Sequence, residues 1–249
     1  MGREVVRAVA DAPDMKLVGA CDVVSAGEQL AEAPEVRVQS DFAAMLEQSN
    51  PDVVVDFAKP FVLAYTRLAL ERGVVPIIGT TGQTSDELAE IERLCRQTGT
   101  AAMVIPNFAV GAVLMMKFAA EAAEFMPDVE IVELHHEKKA DAPSGTSIKT
   151  AEMIEAARKA AGVRAVVPAG SPDDPARGDE KHGIRIHSVR LPGLVAHQEV
   201  IFGGTGQVLT IRHDSTDRTS FMPGVLLAIR RALNARGLAY GLDKVLWER

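Results

Sequence analysis

Short apolar runs that alternate with segments of helical periodicity dominate the first half of the chain. The runs have the length of β-strands, and they are apolar along most of their length, not alternately apolar and polar. That pattern is typical of parallel strands covered on both faces by helices. We therefore predict an α/β fold with a doubly wound, Rossmann-like parallel sheet. The predicted strands are residues 16–22, 52–58, 74–78 and 101–105.

Helical segments lie between the predicted strands, and two of them are followed by a glycine. Gly73 and Gly99 can adopt the left-handed conformation that commonly ends a helix, so both are predicted stops. The predicted helices of this half are residues 2–12, 41–48, 61–72 and 84–97.

After Asn107 the helices become fewer and several strand candidates follow one another, which predicts a second, α+β domain with a mixed sheet. We expect the first domain to cover residues 1–106 and 219–249, and the second to cover residues 107–218. The predicted elements are helices at 111–125, 145–161 and 221–235, strands at 129–136, 184–191, 199–202 and 208–214, and a Pro/Gly/Asp-rich loop at 168–183.

Composition and charge restrict the classes of partner and the cellular compartment that we expect for this protein. The 249 residues include 27 basic and 34 acidic side chains, a formal charge of −7, which argues against a general nucleic-acid binder. Cys21 and Cys95 are too few for a disulfide framework. The most apolar stretch, residues 101–116, is interrupted by Pro106 and is too short to span a bilayer. We expect a cytoplasmic protein with no nucleic-acid or membrane partner.

The start of the chain has the pattern of the later part of a dinucleotide-binding motif. Such a motif has a strand, a glycine turn, a helix facing the pyrophosphate, and an acidic residue about twenty positions later. Asp22 ends a predicted strand, and Gly2 lies 20 positions before it, where the last glycine of the turn belongs. We predict that Met1 is an internal residue of that turn and that the natural chain begins upstream. The alternative is a variant with a degraded cofactor site. Without its central first strand, the sheet would have unpaired neighbours and an open core.

A cluster of proton donors and anion-binding groups occupies residues 133–146, with the sequence ELHHEKKADAPSGT. Ser144 can cap the next helix, which leaves the N–H groups of Gly145 and Thr146 facing a ligand carboxylate. Lys139 adds positive charge, and a desolvated Lys or His can donate a proton near neutral pH. From the pattern alone, the alternative is a solvated loop that leads into a capped helix.

Adjacent histidines raise the question of a metal site, but the spacing does not favour one. Neighbouring residues of a strand point to opposite faces, so His135 and His136 diverge, and no third ligand is suitably placed. We therefore predict no metal. The remaining histidines are expected to be structural, with a place on the substrate face as the alternative; they are His182, His187, His197 and His213.

The run HHEKKADAPSGT, residues 135–146, resembles the signature of the dihydrodipicolinate reductase family. The resemblance extends over essentially the whole chain, and the Met-Gly-Arg start is similar to the end of the family's glycine turn. The other matching segments, in the family's order, are residues 53–57, 79–82, 105–108, 188–193 and 211–215, the last with the following Arg218.

This resemblance implies the reduction of a small cyclic dicarboxylate, 4-hydroxy-tetrahydrodipicolinate, to tetrahydrodipicolinate with NADH or NADPH, in the diaminopimelate route to lysine. It implies that the first domain binds the dinucleotide and that the second binds the substrate and forms a homotetramer. His135 and Lys139 match the family's proton donors. The expected substrate-binding residues are His136, Ser144, Gly145 and Thr146. The expected cofactor contacts are Met1, Gly2, Asp22, Gly79, Thr80, Thr81, Ile105, Pro106, Asn107 and Phe108.

Two alternatives are a related imine or amino-acid dehydrogenase and a degenerate dinucleotide-binding protein. The intact loop, with both His135 and Lys139, argues against each of them. For the cofactor, Asp22 favours a free ribose hydroxyl and would repel a 2′-phosphate, which predicts that NADH serves at least as well as NADPH. Lys59 is the residue that could still reach such a phosphate.

Overall fold

The computed structural model describes residues 1–58, 62–166 and 175–247, and the chain divides into two compact units. One unit comprises Met1–Phe108 together with Phe221–Arg249, and the other comprises Ala109–Ser220. Each unit contains its own sheet, one wholly parallel and one mixed, so the predicted fold class is confirmed. Lys59, the first residue of the predicted helix 61–72, and part of the predicted loop 168–183 lie outside the described residues.

The first unit has a four-stranded sheet in which every pair of neighbours is parallel. Its central strands consist of residues that are buried along their whole length, as strands covered on both faces require. The strand order is β1 (Val53–Asp56), β2 (Val75–Ile78), β3 (Ala102–Val104) and β9 (Leu238–Tyr240).

The first four helices of this unit begin and end close to the predicted positions. At α4 (Ser85–Thr98), Thr84 and Glu87 form a reciprocal capping box at the start, and Gly99 ends the helix at φ 72°. Gly73, at φ 73°, likewise follows α3 (Val62–Glu71). The helices are α1 (Gly2–Asp11), α2 (Phe42–Ser49), α3 (Val62–Glu71), α4 (Ser85–Thr98), α7 (Met222–Ala232) and α8 (Leu242–Trp247).

The prediction of a strand at residues 16–22 is wrong. Only Cys21 forms a bridge, to Gln39, supported by hydrogen bonds from Asp22 N to Gln39 O and from Gln39 N to Ala20 O, both 2.9 Å. A strand needs a neighbour for its peptide groups, and a cavity of 1420 Å³ is lined by both this segment and β1. β1 is consequently the edge of the sheet.

The second unit has a five-stranded mixed sheet. β4 (Asp128–His135) is parallel to β6 (Ile184–Arg190) and antiparallel to β7 (Ala196–Gly204), and the remaining pairs are antiparallel. Helices α5 (Val110–Ala123) and α6 (Gly145–Ala161) pack against each other and against strands of this sheet. The strand order is β5 (Asp179–Lys181), β6 (Ile184–Arg190), β4 (Asp128–His135), β7 (Ala196–Gly204) and β8 (Gln207–Ser215).

Two parts of the chain differ from the predicted element list. β5 lies inside the predicted loop 168–183, and the helix predicted to close the chain at 235 ends at Ala232 and is followed by β9 and α8. β9 has only three residues, which are too few to show a period, and it exists because it pairs with β3, far away in the sequence. Among the described residues, no helix has both the length and the apolar character needed to cross a membrane.

Candidate active site

The predicted cluster forms a strand-to-helix junction in the second unit. β4 ends at His135 and α6 begins at Gly145, so the intervening loop connects the two ends of the cluster. Ser144 is the N-cap of α6, and its Oγ accepts a hydrogen bond from Ser147 N at 3.2 Å. The predicted cap and the predicted bounds of the helix, 145–161, are both confirmed.

A buried carboxylate, that of Glu133, lies at the centre of this junction. Its side chain is completely buried on β4, two residues before His135 and therefore on the same face of the strand. Oε2 is 2.5 Å from His135 Nδ1, and Oε1 accepts a hydrogen bond from Ser144 N at 3.2 Å. Glu133 thus joins the imidazole at the end of the strand to the start of α6.

Arg190, the last residue of β6, completes this group. Its Nη1 donates to Glu133 Oε2 at 2.8 Å and its Nη2 donates to Glu133 Oε1 at 2.7 Å, a bidentate pair. Nη2 also donates to the carbonyl oxygen of Asp141 at 2.8 Å. Arg190 therefore ties the loop between β4 and α6 to the neighbouring strand. Neither Glu133 nor Arg190 was among the predicted site residues. The signals in the sequence are the two-residue spacing of Glu133 and His135 on one strand and the place of Arg190 in the matching segment 188–193.

The partners of Glu133 determine its ionisation. Burial raises the pKa of the carboxyl, but hydrogen bonds from His135, Arg190 and Ser188 outweigh burial and lower the pKa from 4.5 to about 2. Glu133 is consequently a carboxylate at neutral pH, with no proton of its own to donate.

The lowered pKa of Glu133 predicts how stability depends on pH. A carboxyl whose pKa is lower in the folded state stabilises the fold above its ordinary pKa, and this stabilisation is lost as the pH falls from 4.5 towards about 2. Urea unfolding followed by circular dichroism across that range should show the free energy of unfolding of the wild type converging on that of Glu133→Gln. A constant difference between the two proteins would contradict the assigned ionisation.

Lys139 is paired within the same loop. Its Nζ lies 2.8 Å from both carboxylate oxygens of Asp141, and this hydrogen bond is the main cause of the lowered pKa of Asp141. The Lys139 side chain is 21% exposed, and that of His135 is 13% exposed, so each retains some access to solvent. The structure thus gives Lys139 a counter-ion that the sequence analysis did not foresee.

The expected substrate-binding residues surround the start of α6. His136 is exposed and is the first residue after β4. A Cβ added to Gly145 would meet no heavy atom within 4 Å, so open space adjoins the first turn of the helix. Thr146 follows it in that turn, and its carbonyl oxygen accepts from Thr150 Oγ1. A helix N-terminus with open space beside it suits a carboxylate ligand.

The expected cofactor residues lie in the first unit, and most of them line its cavity. The others follow β3: Ile105 N donates to Ile78 O at 2.8 Å, and the Phe108 ring lies 5.8 Å from that of Phe57. A Cβ on Gly79 would overlap the Phe57 ring, so this position requires glycine. The cavity-lining members of the set are Met1, Gly2, Asp22, Gly79, Thr80 and Thr81.

The cavity residues fit a dinucleotide. α1 begins at Gly2 without a side-chain cap, and a Cβ on Gly2 would meet no atom within 4 Å, so a group of phosphate size has room at the helix N-terminus. Asp22 Oδ1 accepts hydrogen bonds from Val24 N and Ser25 N at 2.8 and 2.9 Å, which fixes the carboxylate in place. This is the acid that the motif assigns to the ribose. Within the described parts of the chain, no group of three or more His, Cys, Asp or Glu residues is arranged to hold a metal.

The comparison with protein families matches both units. The family model described as dihydrodipicolinate reductase, N-terminus, matches residues 1–108, and the one described as dihydrodipicolinate reductase, C-terminus, matches residues 111–246. A 4-hydroxy-tetrahydrodipicolinate reductase of Syntrophomonas wolfei is 48% identical over 256 residues, which cover 99% of this chain and 94% of the relative. The enzyme of that name from Listeria innocua is also 48% identical, with 99% and 95% covered.

Solved structures agree with these matches. Dihydrodipicolinate reductase from Paenisporosarcina sp. TG-14, bound to dipicolinate, superposes with a TM-score of 0.83 at 44% identity, covering 98% of this chain and 95% of that one. An amine dehydrogenase from Mycobacterium smegmatis superposes with a TM-score of 0.62 at only 15% identity, covering 97% and 92% of the two chains. The latter similarity shows a shared fold alone.

Proposed function

The chain belongs to the dihydrodipicolinate reductase family, and from this membership we propose which of its residues carry out the family's reaction. It is an oxidoreductase that reduces 4-hydroxy-tetrahydrodipicolinate to tetrahydrodipicolinate with NADH or NADPH, a step of lysine biosynthesis through diaminopimelate. The residue roles that we propose are supported by the contacts within each unit.

We assign the substrate to the second domain, residues 107–218. A dicarboxylate carries two negative charges and needs cations and N–H donors to replace water. The open space beside Gly145, the exposed His136 and the positive end of α6 at Thr146 supply such groups, while Ser144, buried with its N–H donated to Glu133, contributes as the N-cap. The relative from Paenisporosarcina was solved with dipicolinate, a planar dicarboxylate of this chemical class, which supports a carboxylate site in this family.

We assign proton donation to His135 and Lys139. The observation that carries this assignment is the chain of contacts that runs from His135 through Glu133 and Arg190 to Asp141 and Lys139. As water leaves and the ring accepts electrons, negative charge develops on the substrate, and a positioned acid lowers the barrier by donating a proton. Glu133 occupies Nδ1 of His135, which leaves Nε2 to donate.

We assign the dinucleotide to the first domain, residues 1–106 and 219–249. NADH or NADPH, when bound, supplies the hydride. Met1 and Gly2 would hold the pyrophosphate at the start of α1, and Asp22 would bind the adenosine ribose. The nicotinamide end of the site would be formed by two sets, residues 79–81 after β2 and residues 105–108 after β3. Both sets follow the carboxyl ends of parallel strands, where such sheets bind ligands.

NADH should serve at least as well as NADPH. Asp22 is fixed by two backbone hydrogen bonds, so a 2′-phosphate would meet an immobile negative charge. The measurement is kcat/KM with NADH and with NADPH. The substrate is generated from pyruvate and aspartate semialdehyde by dihydrodipicolinate synthase, and the absorbance of the reduced nicotinamide is the signal. Asp22→Ala should shift the ratio towards NADPH. A roughly tenfold preference of the wild type for NADPH, about 1.4 kcal/mol, would refute the prediction.

Gly145→Ala should weaken substrate binding without harming the fold. The added methyl group enters the open space beside the first turn of α6, while alanine is a better helix former than glycine. We expect the substrate carboxylate to lose one hydrogen bond. The loss of a hydrogen bond to a charged group corresponds to a roughly tenfold or larger rise in KM for the substrate. Gly203→Ala, another position where a Cβ meets no atom within 4 Å, is the matched control. An unchanged KM would show that the substrate carboxylate does not bind beside Gly145.

We further propose a homotetramer assembled through the second domain, in the cytoplasm. Light scattering coupled to size-exclusion chromatography tests the assembly, and a monomer at micromolar concentration would contradict it. The support for both statements is membership of the family.

A further inference from the structure

Glu133 is not among the residues expected to touch substrate or cofactor, yet its carboxylate has more partners than any other group at the junction. It is fully buried, and its two oxygens accept hydrogen bonds from several donors: Oε1 from Arg190 and Ser144 N, and Oε2 from Arg190 and His135, with Ser188 as a further donor to the carboxylate. A buried carboxylate whose hydrogen bonds are all made is rigid, and it therefore also fixes the orientation of the side chains bonded to it.

We propose that Glu133 is a positioning residue, held by Arg190, that fixes the orientation and the Nδ1–H tautomer of His135. This inference rests on the proposed role of His135 as a proton donor. Its physical basis is that an ionised carboxylate can only accept, so the proton in the 2.5 Å contact belongs to His135 Nδ1. Nε2 is then the ring atom that gains and releases a proton.

Arg190 extends the same control to the second candidate donor. It faces His135 in the register of β4 and β6, and it donates both to Glu133 and to the Asp141 carbonyl oxygen. The Asp141 carboxylate in turn holds Lys139 at 2.8 Å. One guanidinium thus fixes the spacing between the element that carries the imidazole and the loop that carries the ammonium.

Glu133→Gln tests the tautomer because the hydrogen-bond donors around the carboxylate are unequally distributed. Arg190 Nη2 and Ser144 N, neither of which can be reversed, both donate to Oε1, whereas Oε2 has one such donor, Arg190 Nη1, beside the His135 ring, which can reverse its role. The amide oxygen of glutamine should therefore take the Oε1 position, which turns the NH₂ group towards His135 Nδ1. The ring can accept from that NH₂ only as the Nε2–H tautomer.

The measurement is the ¹⁵N spectrum of the histidine rings of the full-length protein at neutral pH without substrate, combined with kcat, KM and the Kd for NADH. The wild type should show a protonated Nδ1 at His135, whereas Glu133→Gln should show a protonated Nε2 and an unprotonated Nδ1. We expect kcat to fall roughly tenfold or more, as for other wrongly tautomerised catalytic histidines, with the Kd for NADH unchanged.

Glu130→Gln is the matched control. Glu130 lies on the same strand and also holds a histidine and an arginine, His187 at 2.8 Å and Arg177, but none of the candidate donors. It should leave kcat and the His135 ring unchanged. Glu133→Gln leaves the partly buried Arg190 without its carboxylate partner. The double variant Glu133→Gln/Arg190→Met removes this uncompensated charge as well. It should lose the fixed Nδ1–H tautomer and show the same loss of kcat.

The inference is overturned if His135 keeps its Nδ1–H tautomer in both variants, or if the tautomer changes while kcat stays at the wild-type value. It is also overturned if Glu130→Gln lowers kcat as much as Glu133→Gln does. The proposed function can fail separately from this inference. A wild-type kcat in His135→Ala would show that His135 is not the proton donor. A lowered kcat in His135→Ala together with a wild-type kcat in Glu133→Gln would disprove only the positioning role of Glu133.

Discussion

Lys139→Ala is expected to lower kcat by about 10²–10⁴-fold, the usual contribution of a positioned general acid. The Nζ of Lys139 is 2.8 Å from both oxygens of Asp141, so the ammonium is held in one place within the loop that precedes α6. The Kd for NADH, measured by fluorescence titration, should remain unchanged because the residues assigned to the dinucleotide belong to the other unit.

Two controls separate proton donation from charge. Lys138→Ala removes the same charge from an exposed neighbour and should leave kcat within about twofold of the wild type. In Lys139→Ala the Asp141 carboxylate loses its partner and would repel the substrate, so KM should also rise. Adding Asp141→Asn should restore KM but not kcat. If kcat recovers with KM, Lys139 acts by charge alone and is not a proton donor.

Local sequence patterns were sufficient to predict the junction that carries the candidate site. The SGT run indicated the cap at Ser144 and the start of α6, and the structure has both at the predicted positions. Caps and helix periods depend on residues within one or two turns of each other, which is why they can be read from a single sequence.

Contacts between distant segments could not be predicted in the same way. Arg190 and Glu133 are 57 positions apart and meet because β6 and β4 pair in parallel. The strand predicted at residues 16–22 failed for the reverse reason: its residues suit a strand, but among the residues that the structure describes, Gln39 is the neighbour with which its backbone exchanges hydrogen bonds. Strand pairing is a property of the assembled sheet, and one strand's sequence does not contain it.

His135→Ala is expected to lower kcat to a similar extent, again by about 10²–10⁴-fold, with the Kd for NADH unchanged. The fold should survive the substitution because Glu133 keeps its bidentate partner Arg190 and its hydrogen bond from Ser144 N. Thermal unfolding checks this directly. His182→Ala is the control, since this exposed histidine pairs with Glu155 and lies outside the junction. Loss of NADH binding in His135→Ala would contradict its assignment to the substrate side.

The double variant His135→Ala/Lys139→Ala decides whether the two groups serve one proton transfer. The contacts through Glu133, Arg190 and Asp141 make them parts of one connected group, and residues that act as a unit are strongly non-additive. We therefore expect the double variant to lose little more kcat than the slower single variant. Fully additive losses would mean that His135 and Lys139 act in separate steps, one in the departure of water and the other in protonation of the reduced ring.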